Sequence, residues 1–330
     1  MAYTLMFYNL ENLYDTVDDP LTNDDEYTPG GEKRWTQEHY LTKLNNLSDV
    51  VGTVASAYGG FPVVIGVSEV ENMGVMRDLA ARKRMQGGHY KCIHYESNDA
   101  RGVDVGAFYR PDKFTLLGSE PVKLVLRSGR EYIGRDILAM WGLLDGEMFA
   151  FYICHFLSRR AGIESSAGFR RAGAETARDH AAALAKRYPG LKVVIMGDMN
   201  DNPDDVSLSE LLPARRNLFA VKPGEYFNPF WQLHDEGIGS SLHGSRWTMY
   251  DNIIVSHSLL DQSSTGGRTL FGGHTSRGLT LAKTDARHWG EVFRRSFMMQ
   301  KGKPKRCYNG NHFQSGYSDH LPVIIKLDRK

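Results

Sequence analysis

The chain has 330 residues and a mass of 37.2 kDa, with 41% hydrophobic and 24% charged residues; that is ordinary globular composition and excludes a disordered, collagenous or coiled-coil protein. Forty Lys and Arg against 39 Asp and Glu leave a formal net charge of +1, so attraction to nucleic acid or an anionic membrane would need a local patch. The longest apolar runs, such as Phe149–Ile153 and Ile253–Val255, fall far short of the roughly 20 residues that span a bilayer, so no membrane span is expected.

Tyr3–Leu10 reads as the first strand. The acidic stretch Asp15–Glu26 follows, broken by Pro20 and Asn23, and reads as a loop. Residues 1–40 hold nine acids and two bases; a solvated loop and a second cation site both account for that. Thr36 is placed to cap a helix whose Leu41, Leu44, Leu47, Val51 and Val54 share one face. Strand Val63–Val70 comes next, then a short helix through Met76, Leu79 and Ala80. Strands are expected at Tyr90–Tyr95, Val103–Tyr109, Ile137–Leu144 and Met148–Leu157, each short, β-branched or aromatic and bounded by turn formers. Ala177, Ala181, Leu184 and Tyr188 mark a helix ending before Pro189 and Gly190, followed by strands Lys192–Met196 and Trp247–Ser256. Leu260–Gly316 has few strand signals and many Gly, Lys and Arg. It reads as a long insertion at about 260–316 with a basic tip at Lys301, Lys303, Lys305 and Arg306, a solvated or a phosphate-contacting loop. Leu321–Leu327 is the final strand.

No linker and no fixed-period repeat interrupts the chain, so residues 1–330 are read as a single domain. Mixed strands with helices between only some of them suggest stacked sheets with helices outside. Cys92, Cys154 and Cys307 are too few and too far apart for a disulfide framework or a CxxC metal site; Cys92 and Cys154 are expected as buried thiols. MAYTLMFYNL shows neither the basic nor the apolar region of a leader. The reading is therefore cytoplasmic, with a removed secretory leader left open.

The chemistry shows in what ends each strand. Asn9 and Glu11 end the first, Glu69 stands inside the apolar run Val63–Val70, and His155 lies in Met148–Leu157. Lys192–Met196 runs into Gly197-Asp198-Met199-Asn200, Trp247–Ser256 contains Asp251, and Ser318-Asp319-His320 precedes the last strand. Each residue alone has a bland explanation as a turn cap or a satisfied core group. Burying Glu69 or Asp251 unpaired would cost several kcal/mol, and a shared site removes that cost. Asn9, Glu69, Asp198 and Asp319 offer hard oxygen donors with no thiolate, which favours Mg²⁺ or Mn²⁺ over Zn²⁺. Histidines, asparagines and arginines beside such a cation suit phosphoester hydrolysis. No GxxxxGK[ST] loop and no GxSxG elbow occurs.

At FYNLEN (Phe7–Asn12), GVSEVEN (Gly66–Asn72), ICHFLSRR (Ile153–Arg160), MGDMND (Met196–Asp201), YDNIIVS (Tyr250–Ser256) and YSDHLPV (Tyr317–Val323) the sequence resembles the endonuclease/exonuclease/phosphatase superfamily, the deoxyribonuclease-I-like fold. The resemblance implies an α+β (α/β) four-layer sandwich, with two mixed central β-sheets flanked by helices, and a metal-dependent phosphoesterase. Asn9 and Glu69 then correspond to metal ligands, and Asp319 to the acid beside the metal and the attacking water. Asp198 corresponds to the carboxylate that orients or deprotonates that water, with Asn200 on the phosphate and His155 as the phosphate-side histidine. His320 resembles the histidine on the scissile phosphate and Asp251 its orienting carboxylate. Arg135 matches a phosphate-contacting arginine of some members, and Arg159 and Arg160 are phosphate-binding candidates. The chain departs from the best-known members in its neutral charge, its long insertion and its acidic loop.

Three functions compete. The leading expectation is a Mg²⁺-dependent nuclease cleaving phosphodiester bonds, drawing on Arg159, Arg160, Arg170 and Arg171 for phosphate contacts. A phosphoesterase on a small molecule or lipid head group is the alternative, with the insertion walling the site. A non-catalytic binding module is the third, opposed by the intact set of polar residues. The partner is a phosphoester substrate, nucleic acid being one candidate, and the chain is expected to be a monomer.

Overall fold

In the computed structural model, which describes residues 2–130, 132–261 and 278–330, the apolar segments form two seven-stranded sheets. The first contains β1 (Ala2–Leu13), β2 (Val64–Val70), β3 (Lys91–His94), β4 (Asp104–Tyr109), β14 (Leu279–Ala282), β15 (Gly290–Val292) and β20 (Val323–Arg329). Its order is β14-β20-β1-β2-β4-β3, with β15 also on β20. The second contains β5 (Phe114–Val122), β6 (Ile137–Leu144), β7 (Glu147–His155), β8 (Lys192–Asp198), β9 (Ala214–Arg215), β10 (Tyr226–Phe227) and β13 (Asp251–Ser256), in the order β5-β6-β7-β8-β13-β10-β9. Both are mixed: β1 and β2 run parallel, as do β7 and β8, while β20 and β13 are antiparallel to their neighbours. Three small hairpins pair β11 (Ser241–His243) with β12 (Arg246–Thr248), β16 (Met299–Gln300) with β17 (Lys303–Pro304), and β18 (Tyr308–Asn309) with β19 (His312–Phe313).

The period of two along each strand decides which layer a side chain enters. In β1 and β2, Met6, Tyr8, Leu10, Ile65 and Val67 meet Leu47 and Val51 of α1 (Gln37–Tyr58) and Leu79 of α2 (Met73–Ala80). Their alternates face the second sheet, where Phe149, Phe151, Ile153, Val194 and Met196 close the inter-sheet core. The contact is tight: a Cβ on Gly66 of β2 would lie 2.7 Å from Met196 Sδ. Ala150, Tyr152, Cys154, Val193 and Ile195 point the other way, against Ala177, Ala181 and Leu184 of α3 (Ile163–Arg187). The result is helix, sheet, sheet, helix, the four-layer sandwich implied by the sequence motifs. Thr36 caps α1 by accepting from His39 N, and Asn72 caps α2 by accepting from Val75 N.

The elements differ from the sequence reading in places that have physical causes. β5 carries no clean alternation and contains Pro121, which an edge strand tolerates. Trp247–Ser256 is two strands, β12 and β13, separated at Met249-Tyr250. Within the 260–316 stretch, residues 262–277 lie outside the described residues. The remainder adds β14 and β15 to the first sheet, with Leu279 and Leu281 buried. The free cysteines Cys154 and Cys307 are buried, whereas Cys92 is only partly so. Among the described residues no helix is long and apolar enough to cross a membrane.

Candidate active site

The strand registers bring polar residues to one end of both sheets. His155, the last residue of β7, pairs in register with Asp198, the last of β8, and Asp198 pairs with Asp251, the first of β13. All three share the parity of the inter-sheet residues 153, 196 and 253, so they project toward the first sheet. Asn9 has the parity of Phe7 and meets them from β1: its Nδ2 donates to Asp198 Oδ2 at 3.1 Å. A Cβ on Gly197 would lie 2.2 Å from the Cys154 carbonyl oxygen, so only glycine lets β7 and β8 deliver His155 and Asp198 side by side.

Glu69 arrives by a different route. Simple alternation would aim it with Ile65 and Val67 at the helices. Instead the β2–β4 register shifts between Ser68 and Val70, and Glu69 itself has φ 60°. This bulge turns its carboxylate into the inter-sheet site. Oε2 accepts from Asn12 N at 2.9 Å, Arg101 Nη2 lies 3.5 Å away, and Oε1 is 3.9 Å from His155 Nε2. Glu11 and Asn12 on β1 and Asn200 after β8 also have positive φ. Non-glycine residues rarely adopt that conformation, and it concentrates at functional sites.

Asp198 is the hub. Oδ1 accepts from Asn200 N at 3.0 Å, while Oδ2 faces His155 Nε2 at 3.7 Å and His320 Nε2 at 3.8 Å. His320 Nδ1 lies 2.7 Å from Asp251 Oδ2, which also accepts from Ser240 Oγ at 2.5 Å. Asp251 is fully buried, and its Oδ1 has no hydrogen-bond partner among the described residues; nor has His155 Nδ1. Ser318 Oγ donates to the Asn9 carbonyl at 2.7 Å and accepts from His320 N at 3.0 Å, fastening the loop before β20 to the end of β1.

The ionisation pattern follows from burial and these neighbours. Burial would raise the Glu69 pKa, but Arg101 and then His155 outweigh it and hold the carboxyl well below its ordinary value. Burial raises Asp198 to about 7 against the pull of His320. Burial and Arg135 push His155 well down, toward a neutral ring. Burial works against charge on His320, yet Asp251 and Asp198 raise it well above 6.5. Burial and neighbouring charges thus push the two histidines in opposite directions on either side of one carboxylate.

Other expected residues sit differently. Asp319 lies outside the Asp198 cluster; Arg306 Nη2 holds its Oδ2 at 3.2 Å, and Nε of the same arginine holds Glu11 Oε1 at 3.1 Å. Arg135 is buried, donating to the His155 carbonyl at 3.3 Å and pairing with Asp99 at 3.0 Å. It supports His155 from behind. Arg159 is bound to Asp201 and Asp205 and donates to the Asn200 carbonyl at 2.7 Å. Arg170 is 1% exposed and bonds Asp201 at 2.6 Å, so it is no surface cation. Arg160 and Arg171 are exposed. Sequence reading missed Arg101, Ser240 and Ser318. Ser318 sits within the SDH motif and so had a local signal, but Arg101 and Ser240 lie in loops whose partners are set only by folding.

A carboxylate held between two histidines, beside a glutamate and carboxamide side chains at the joined ends of two stacked sheets, is an arrangement suited to phosphoester hydrolysis. The family model described as Endonuclease/Exonuclease/phosphatase family matches residues 4–329. The chain belongs to that family. No curated protein sequence matches it. Among solved structures it is similar to the mannosyl-6-phosphatase Bt3783 of Bacteroides thetaiotaomicron, at 16% identity and TM-score 0.56 over 99% of each chain. The human Nocturnin catalytic domain with bound sulfate is similar at 12% identity and TM-score 0.56, over 100% of this chain and 95% of that one. A humanized D. rerio TDP2 is similar at 13% identity and TM-score 0.52, over 99% of each. At these identities the likeness establishes the shared fold.

Proposed function

We propose that the chain is a divalent-metal-dependent phosphoesterase, working as a single domain and a monomer, whose substrate is a compact phosphorylated molecule. The donor set fits a hard cation: the Glu69 carboxyl is held below its ordinary pKa, Asn9 reaches Asp198 at the same strand ends, and among the described residues no thiolate joins them. Glu69 and Asn9 would hold Mg²⁺ or Mn²⁺, with Asp319 available once Arg306 yields it. Such a cation, when bound, neutralises charge on the phosphoryl oxygens.

The protein's own residues divide the remaining work. Asp198 takes the proton of the attacking water, its Oδ1 steadied by Asn200 N and its Oδ2 by Asn9. His320, kept charged by Asp251, donates from Nε2 to a phosphoryl oxygen as negative charge develops. The Asn200 amide uses one hydrogen on the Phe156 carbonyl at 3.0 Å and has a second for phosphate. His155 is a neutral donor or acceptor on the same side.

One observation carries the compact-substrate reading. A cavity of about 570 Å³ opens beside Asp319 and is lined by Lys301, Lys303, Arg306, Asn309 and Gln314. It is walled by the chain segment that precedes β20 and is the size of a small-molecule pocket. Of the four arginines expected to track a nucleic-acid backbone, Arg159 and Arg170 are paired with Asp201 and Asp205, while Arg160 and Arg171 stay exposed. The test is a hydrolysis panel with Mg²⁺ and Mn²⁺: sugar phosphates, inositol phosphates, a phospholipid head group, bis-p-nitrophenyl phosphate, plasmid DNA and RNA. Small phosphoesters should be cleaved fastest, and Glu69→Gln should lose Mg²⁺ affinity and activity together. Faster cleavage of DNA or RNA would restore the nuclease reading. Full activity in chelator, or Mg²⁺ affinity by calorimetry unchanged in Glu69→Gln, would remove the metal assignment.

A further inference from the structure

The cavity beside Asp319 is uneven in charge. Among the described residues its wall carries three cations, Lys301, Lys303 and Arg306, against one acid, Asp319 itself. Glu69, His155, Asp198 and His320 do not line it, so it meets a part of the substrate other than the reacting phosphoryl group. We propose that this cavity is a subsite for a second anionic group, which makes the preferred substrate a small molecule carrying two phosphates, one of them hydrolysed at the catalytic cluster. The subsite rests on the phosphoesterase reading above and narrows its substrate class.

Arg306 is the preorganised member. Its Nε donates to Glu11 Oε1 at 3.1 Å, and the neighbouring Cys307 N donates to Glu11 Oε2 at 2.7 Å. Glu11 is 4% exposed, so one buried carboxyl holds both the guanidinium and the backbone beside it. The backbone is fixed from its other side as well: Tyr317 N donates to the Lys305 carbonyl at 2.7 Å, and a Cβ on Gly316 would lie 1.9 Å from the Arg306 carbonyl oxygen. Nη2 reaches Asp319 Oδ2 at 3.2 Å, and the two N–H groups of Nη1 have no partner among the described residues. An arginine already oriented through Nε loses little further freedom when its remaining donors meet an anion, and phosphate oxygens match the spacing of the fork.

The lysines are carried by a turn of defined shape. Lys301 and Gly302 have φ 50° and 77° and lie between the paired residues Gln300 and Lys303; positive φ at both central positions marks the two-residue hairpin turn that matches strand twist. That turn sets Lys301 and Lys303 on the same cavity wall as Arg306. Both lysines are exposed, and neither has an ion-pair partner among the described residues. The one acid of the wall is already held by Arg306, so the lysine charges are left for a ligand. A cavity of about 570 Å³ is of the size that takes a small molecule rather than a polymer.

Matched mono- and bisphosphates of ribose, glucose and fructose test the subsite on the full-length protein, by calorimetry in chelator and by kcat/KM with Mg²⁺. In at least one pair the bisphosphate should bind on the order of ten-fold more tightly, the worth of a hydrogen bond to a charged group. Lys303→Ala, a change at an exposed position, and Arg306→Lys, which keeps the charge but loses the fork, should each lower that ratio by roughly three-fold or more. Damage to the fold alone would weaken both members of a pair alike and leave the ratio where it was. No preference in any pair, a ratio unmoved in both variants, or tighter binding of a 5′-phosphorylated dinucleotide than of any sugar bisphosphate would overturn the subsite. If the binding ratio behaves as expected but no sugar phosphate is hydrolysed with Mg²⁺, the phosphoesterase reading falls and the anion subsite stands.

Discussion

Two carboxylates lie 3.8 and 2.7 Å from the His320 imidazole, and at the residue scale the proposed mechanism turns on them. In the proposed mechanism Asp251 is the positioning member, fixing the His320 ring and favouring its charged form against the cost of burial. Asp251→Asn removes that stabilisation while the burial remains, so the His320 pKa falls. The protonated form is then lost at lower pH, and the basic limb of the pH–rate profile should move down. kcat should fall on the order of 10²-fold, comparable to losing one oxyanion donor, with Mg²⁺ affinity little changed. Profiles of wild type and variant check both; an unmoved limb with an unchanged rate excludes the role. The pairing of these two residues was legible through the motif resemblance, and the cost of burying a strand-bound Asp alone agreed with it. The aim of Glu69 was not legible. Strand parity points it at the helices, and only the bulge at Ser68–Val70 with its positive φ reverses it.

Element packing sets the next scale, where glycines mark how closely strands approach. A Cβ on Gly66 meets the flexible end of Met196 at 2.7 Å, whereas one on Gly197 meets backbone oxygen at 2.2 Å. Gly66→Ala should therefore destabilise by about 1–3 kcal/mol, the usual range for overpacking. Gly197→Ala should cost more, because β7 and β8 must separate. Chemical denaturation of both variants measures the order, and a smaller loss in Gly197→Ala would contradict it. The acidic loop makes a separate prediction. Its Asp15 N donates to Glu71 Oε2 at 2.5 Å, and burial, assisted by Asp15, Asp24 and Asp19, raises Glu71 from 4.5 to about 8. The folded state thus keeps a proton that the unfolded chain releases above about 4.5, so this group's contribution to stability declines as pH rises from there to about 8. Glu71→Gln should raise Tm more at pH 8 than at pH 5; an equal or larger gain at pH 5 would contradict the assignment.

For the molecule as a whole, the proposed preference for a compact substrate rests on the segment between β15 and β20, which walls the cavity beside Asp319. Its lysines lie outside the catalytic cluster, so their effect should fall on binding. Lys301→Glu combined with Lys303→Glu should raise KM for an anionic small phosphoester by on the order of ten-fold, about 1.4 kcal/mol, and leave kcat nearly unchanged. A KM that stays put would take this cavity out of substrate recognition. That segment belongs to the 260–316 stretch, the least readable part of the chain: among the described residues its strands are two to four residues long, and β14 and β15 acquire strand form by pairing with β20. The central strands and the polar residues at their ends could be read directly, because alternation of apolar groups and the cost of burying a lone carboxylate are local properties. Charge was misleading for the same reason. Arg159 and Arg170 count as cations in the sequence, but the fold spends both on Asp201 and Asp205. By itself the sequence determined the sheets, the family and the identity of the polar set at the strand ends. Only the tertiary structure decided which carboxylate faces which histidine, which arginines remain available to a phosphate, and where a pocket opens, because each depends on registers, bulges and ion pairs between residues far apart in the chain.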